Sequence, residues 1–163
     1  MYKKIILTAV LLLSLMGCAT GKLYETPDTL PSQRAIIRGF DHSVSAWNWH
    51  NGKVVAIDGK TVVYSIFILD DFSYNIPVLP GSHVFTIKST FNKSATLFSS
   101  QGPYEATASI QGTLAAGKGY HLNGIIKEAA IELWIEDDSG KRISYVVTPD
   151  YHLATPSLIT SSN

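Results

Sequence analysis

The 163 residues predict an all-β domain, a sandwich or a barrel. Two observations carry that expectation. Stretches rich in Val, Ile, Thr, Phe and Tyr recur along the chain with strand alternation, and helical periodicity is nearly absent. Each stretch is bounded by Gly, Pro, Asn or Asp, the residues that end strands and build turns.

The elements follow in chain order. RAIIRGF over 34–40 is the first strand, and KVVAIDG over 53–59 meets KTVVYSIFIL over 60–69 at Asp58-Gly59, a hairpin dipeptide. Leu79-Pro-Gly81 leads into HVFTIKSTF, 83–91. There Phe85, Ile87 and Phe91 project one way with Ser89 between them, and Thr86, Lys88 and Thr90 project the other, so the odd positions line the core. A polar insert, 89–106, precedes YEATASIQGTL, 104–114, and Ala116-Gly-Lys-Gly119 turns the chain into GYHLNGII, 119–126. In AIELWIEDD, Ile131, Leu133 and Ile135 alternate with Glu132, Trp134 and Glu136, a strand with one wet face. The helix formers of 129–135 leave a helix as the alternative. The strand is preferred because Asp138-Ser-Gly140 follows as a turn and KRISYVV, with ISYVV over 143–147, resumes the alternation as the second arm of a hairpin.

The start of the chain is of another kind. Met1-Tyr-Lys-Lys4 is basic, Ile5 to Met16 is apolar apart from Thr8 and Ser14, and Gly17 precedes Cys18, the layout of a secretory signal. A helix over that run covers about 18 Å of a hydrocarbon core about 30 Å thick, so it is expected to be removed and not to anchor. Leu15-Met-Gly-Cys18 resembles the lipobox of bacterial lipoproteins. The resemblance implies cleavage before Cys18, acylation of that residue, and, with Ala19 following, the outer membrane facing the periplasm. The ordinary alternative is a signal cut elsewhere that leaves Cys18 as a stray thiol, exposed to oxidation in an exported protein.

The expected organisation is a signal peptide (1–17), a lipidated Cys18 with a flexible tether (18–33), one domain (34–148) and a trailing tail (149–163). The 13 Lys and Arg less Lys3 and Lys4 leave 11 against 13 Asp and Glu, a balance that speaks against nucleic acid as a partner.

VLPGSHVFTI (78–87) and LAAGKGYHLNGI (114–125) are similar to small exported domains of the PEGA and transthyretin-like kind. VVAIDGK (54–60) and LWIEDDSGKRI (133–143) sit where such domains place their first and last hairpins. The resemblance implies a single immunoglobulin-like or transthyretin-like antiparallel β-sandwich in an envelope lipoprotein, and it carries over no catalytic residue.

Motifs of known chemistry are missing. His42, His50, His83, His121 and His152 show no zinc spacing, and the Gly-x-Ser-x-Gly elbow and the phosphate loop are absent. His83 is expected to be structural, placed by the Pro80-Gly81 turn. Asp70-Asp71 and Glu136-Asp137-Asp138 lack the spaced oxygens of a calcium loop and are read as solvated turn carboxylates. No catalytic residue, metal or cofactor is therefore expected.

The strongest cluster is SAWNWHNGK, 45–53. If it is extended, Trp47 and Trp49 share one face, and Asn48 and His50 share the other. The indoles then either close one end of the core or form a stacking platform, with Trp47, Trp49, His50 and Trp134 as the candidate ligand surface. The expected protein is a lipid-anchored, non-catalytic envelope module with a protein or glycan partner. A cell-wall hydrolase with a scattered site, or an inhibitor-type lipoprotein using the 89–106 insert, are the alternatives.

Overall fold

A computed structural model describes residues 21–64, 72–93, 102–127 and 130–155. Cys18, Asp70 and Asp71 lie outside the described residues. β1 (Ala35–Arg38), β5 (Ile76–Val78), β8 (Gly119–Ile126) and β9 (Ile131–Asp137) form a four-stranded sheet in the order β5-β1-β8-β9. β2 (Phe40–Asp41), β3 (Asn48–Ile57), β6 (Gly81–Lys93), β7 (Tyr104–Leu114) and β10 (Tyr151–Leu153) form the other in the order β10-β7-β6-β3-β2, with β4 (Lys60–Thr61) paired to β3. The two sheets face each other across one apolar core, an all-β sandwich.

The alternation assigns the faces as expected. Phe85, Ile87 and Phe91 of β6 and Ile131, Leu133 and Ile135 of β9 are each at most 1% exposed. Each such side chain contributes about 1.5–3 kcal/mol by leaving water. Residues 131–137 are strand, which excludes the helical alternative there.

The structure differs from the sequence reading in several places. The first predicted strand breaks at Gly39, where the chain leaves the β5-β1-β8-β9 sheet and enters the other one as β2. A Cβ at Gly39 would overlap the Gly52 carbonyl oxygen and stand 2.8 Å from that of Phe72, so only glycine permits this crossing. β1 and β8 run parallel, whereas every other pair of these strands is antiparallel. β1 leaves for the opposite sheet at Gly39 and β8 is entered from β7 of that sheet, so no tight turn joins the two strands and forces them antiparallel.

The 60–69 strand is described only as Lys60–Thr61, and its residues from Ser65 lie outside the described residues. Much of the 89–106 insert is ladder, since Phe91 pairs with Tyr104. Residues 143–147 form no regular strand. Bridges Glu136↔Arg142 and Leu133↔Val147 hold the segment to β9, but four residues there span what two span on β9. Ser144 Oγ takes the Ile135 N–H at 2.8 Å, and Tyr145 is left 91% exposed.

Neither end hangs free where it is described. Thr61 N donates to Lys22 O and Tyr24 N to Thr61 O, both at 2.8 Å, and Tyr24 Oη donates to Pro77 O at 2.8 Å. Residues 22–24 of the expected tether are thus fastened to the sandwich. At the other end Tyr151–Leu153 of the expected tail pair with β7 as an edge strand.

Candidate functional site

β8 and β9 turn Tyr120, Leu122, Leu133 and Ile135 inward, so His121, Asn123, Trp134 and Glu136 stand together on the outer face. The register fixes their rows. His121 lies opposite Glu136, Asn123 opposite Trp134, and Arg38 of β1 beside His121.

Glu136 is the hub of this face. Its Oε1 accepts from Asn123 Nδ2 at 2.7 Å and meets His121 Nε2 at 2.9 Å, and its Oε2 accepts from the Trp134 indole N–H at 2.8 Å. Burial pushes its carboxyl up, but the bonds from Trp134, Asn123 and His121 outweigh that and hold it below the usual carboxylate range. The Arg142 guanidinium lies 4.7 Å from the Trp134 ring centre, a cation–π contact. His121 Nδ1 is covered and has no hydrogen-bond partner among the described residues.

One row further on, Gly119 makes room for an ion pair that skips a strand. Ile36 and Gly119 are neighbours, and the Asp138 carboxylate lies where a Cβ of Gly119 would be, reaching Arg38 Nη2 at 2.8 Å. Gly117 N donates to Arg34 O at 2.9 Å and Ile36 N to Lys118 O at 3.0 Å, which clamps the 116–119 turn onto the start of β1. Arg34, Arg38 and Lys118 border one hollow as a result.

The four residues of the predicted ligand surface are not brought together. Trp47 is 41% exposed in the Ser45–Asn48 turn, and Trp49 is half-buried at the start of β3. Trp134 belongs to the other sheet. The stretch is not extended throughout, because Ser45 Oγ accepts from Trp47 N and Asn48 N and closes a turn.

His50 points inward and is 5% exposed. It lies 4.7 Å from the Phe40 ring and 5.8 Å from the Phe91 ring, centre to centre. Its Nε2 meets Ser89 Oγ at 2.9 Å, and Ser89 Oγ donates to Asn51 O at 2.9 Å. The hydroxyl proton is thereby engaged, so His50 Nε2–H is the donor to Ser89. Burial first, then the neighbouring His42, push the His50 imidazole down to about 4.

This serine–histidine contact was missed in the sequence, though a signal existed. Ser89 occupies a buried position of the β6 alternation, and a buried hydroxyl requires a partner. His83 sits between two turns, with Nδ1 2.7 Å from Asp58 Oδ2 and Nε2 2.9 Å from Leu79 O. His42 and His50 lie 6.2 Å apart, whereas His121 faces outward on the other sheet. No group of His, Cys, Asp and Glu among the described residues could hold a metal ion. No family model, curated protein or solved structure matches the chain.

Proposed function

We propose that the chain is a lipid-anchored envelope protein, acylated at Cys18, whose sandwich is a non-catalytic binding or assembly module facing the periplasm. One observation carries the reading. Lys22–Tyr24 are fastened to β4, so only Ala19, Thr20 and Gly21 separate Cys18 from the folded domain. Four Cα steps at full extension reach about 14 Å, which holds the sandwich close to the bilayer surface. The three acyl chains that the lipobox implies would make the attachment effectively permanent.

The binding role is supported by the outer face of β8 and β9, where half-buried polar groups are locked in place by Glu136. A rigid polar face of this kind recognises a partner without reorganising. The covered Nδ1 of His121 and the burial of both His50 and Ser89 argue against either histidine as a general base, which must reach a substrate proton. The partner expected on this reading is an envelope protein or glycan.

The test is partition and mass. The wild-type chain should float with membranes and carry the mass of its acyl chains, and Cys18→Ala should do neither. Equal partition and equal mass in the two proteins would overturn the anchoring. Crosslinking in intact envelopes should then capture a partner whose yield falls in Trp134→Ala or Arg142→Ala, and unchanged capture would move the interface elsewhere.

A further inference from the structure

The hollow at the start of β1 has a charge balance that the fold does not use. Its volume is about 310 Å³, and Arg34, Arg38, Asn75, Lys118, Gly119 and Asp138 border it. Three cations therefore face one carboxylate, an excess of two positive charges. Asp138 engages Arg38 alone, through Nη2 at 2.8 Å. The carboxylate of the neighbouring Asp137 is turned back into its own turn, where it accepts from Ser139 N, Ser139 Oγ and Lys141 N.

Among the described residues the other two cations lack anionic partners. Lys118 is exposed and forms no ion pair among the described residues. Arg34 is half-buried, and its Nε is covered by protein without a hydrogen-bond partner among the described residues. An unsatisfied buried donor is costly, and a small rotation that turns this edge of the guanidinium toward an anion would satisfy it. The backbone beneath is stiff, since Gly117 N–Arg34 O and Ile36 N–Lys118 O tie the turn to the strand.

We propose that this hollow binds a phosphate group. Two guanidinium forks and an ammonium match a phosphate monoester in charge and in acceptor count, and Arg presents its donors in the fixed plane that phosphate oxygens accept. The Asn75 amide supplies a further neutral donor at the rim. A volume of about 310 Å³ exceeds one phosphate, so the group arrives as an ester of a larger molecule. A Cβ at Gly119 would stand where the Asp138 carboxylate now lies, so glycine there is what lets Asp138 cross β8 to Arg38. The site stands independently of whether Cys18 is acylated.

Two sources offer this chemistry, small phosphate esters and the headgroups of phospholipids. The experiment uses the full chain carrying Cys18→Ala, so that acylation does not confound membrane binding. Inorganic phosphate is titrated while the backbone amides of Gly117, Lys118 and Gly119 are followed by NMR. Co-sedimentation is measured with phosphatidylcholine vesicles with and without phosphatidic acid. Saturable shifts with phosphate support the site with a small ester as ligand, and sedimentation that requires phosphatidic acid supports it with a headgroup as ligand.

Arg34→Gln and Lys118→Gln should each weaken binding roughly tenfold, the scale of one charge-assisted bond. Asp138→Asn should strengthen it several-fold by freeing Arg38, a gain that a misfolded variant could not produce. Absence of binding to both probes, equal affinity in Arg34→Gln and Lys118→Gln, or loss of binding in Asp138→Asn would overturn the proposal.

Discussion

Mild acid should destabilise this sandwich through His50. The residue is 5% exposed among Phe40, Phe91 and His42, and its ring is neutral in the folded chain because burial pushes its ionisation from 6.5 down to about 4. The unfolded chain takes up that proton at about pH 6.5, so between the two values the unfolded state binds more protons and stability falls with pH. The contribution is complete above pH 6.5. At 1.36 kcal/mol per pH unit the loss reaches about 1.4 kcal/mol by pH 5.5 and about 2.6 kcal/mol by pH 4.5. The assay is urea unfolding by tryptophan fluorescence at pH 7.5, 6.5, 5.5 and 4.5, for wild type and for His50→Leu. Leucine is apolar and does not titrate, while Asp58, Glu105 and Glu136 are common to both proteins and cancel in the difference. The wild-type curve should fall away from the variant curve as pH drops from 6.5 to 4.5. Parallel curves over that range, or an NMR titration of His50 with its midpoint at 6 or above, would refute the reasoning.

Three further outcomes are expected. Gly39→Ala forces a Cβ against the Gly52 and Phe72 carbonyls, both backbone, and should cost about 2–3 kcal/mol in denaturant unfolding if the protein still folds. Glu136→Leu removes the acceptor shared by Asn123, Trp134 and His121; because the site is half-exposed, water replaces part of the loss, and the cost should be about 1–2 kcal/mol with a shift in Trp134 emission. Leu133→Ala opens a cavity at a fully buried position and should cost about 2–5 kcal/mol, whereas Tyr145→Ala, at a side chain 91% exposed, should stay within about 0.5 kcal/mol of wild type.

The parts of the fold that were legible are those that depend on neighbours in sequence. Phe85-Ile87-Phe91 and Ile131-Leu133-Ile135 reveal their faces because a strand wet on one side must alternate, and a one-residue slip would expose the whole set. The Asp58-Gly59 turn was legible for the same reason: both residues have positive φ, 50° and 75°, which that dipeptide tolerates. The sheet switch at Gly39 was not legible, because the crossing depends on the carbonyls of Gly52 and Phe72, remote in the chain. The sequence reading took Trp47 and Trp49 as one extended face, but the Ser45 cap turns the chain just before β3, a local closure that strand alternation does not reveal. The hollow of Arg34, Arg38 and Lys118 was not legible either, since Lys118 joins the two arginines only through the parallel pairing of β1 with β8.

The positive-φ glycines show how the molecule is polarised. Gly59, Gly81, Gly117 and Gly140 have φ of 75°, 134°, 71° and 81°. The registers Ile57↔Phe85, Gly81↔Leu114, Ile36↔Gly119 and Tyr120↔Asp137 gather their four turns at one end of the sandwich. The docked Lys22–Tyr24 segment joins β4 beside the first of these turns, and the phosphate hollow is built on the third. Short turns closed by backbone bonds hold charged side chains with little freedom to relax, so cations gathered there retain an unneutralised field until an anion arrives. On the proposed reading that end also lies nearest the acyl chains, within reach of phosphate headgroups. The tip carrying Val44, 81% exposed, and Trp47 lies at the far end of β3 from Asp58, and on the same proposed reading it points away from the bilayer. On the proposed reading a headgroup ligand therefore belongs to the rigid end, where the backbone-closed turns hold the cations in place.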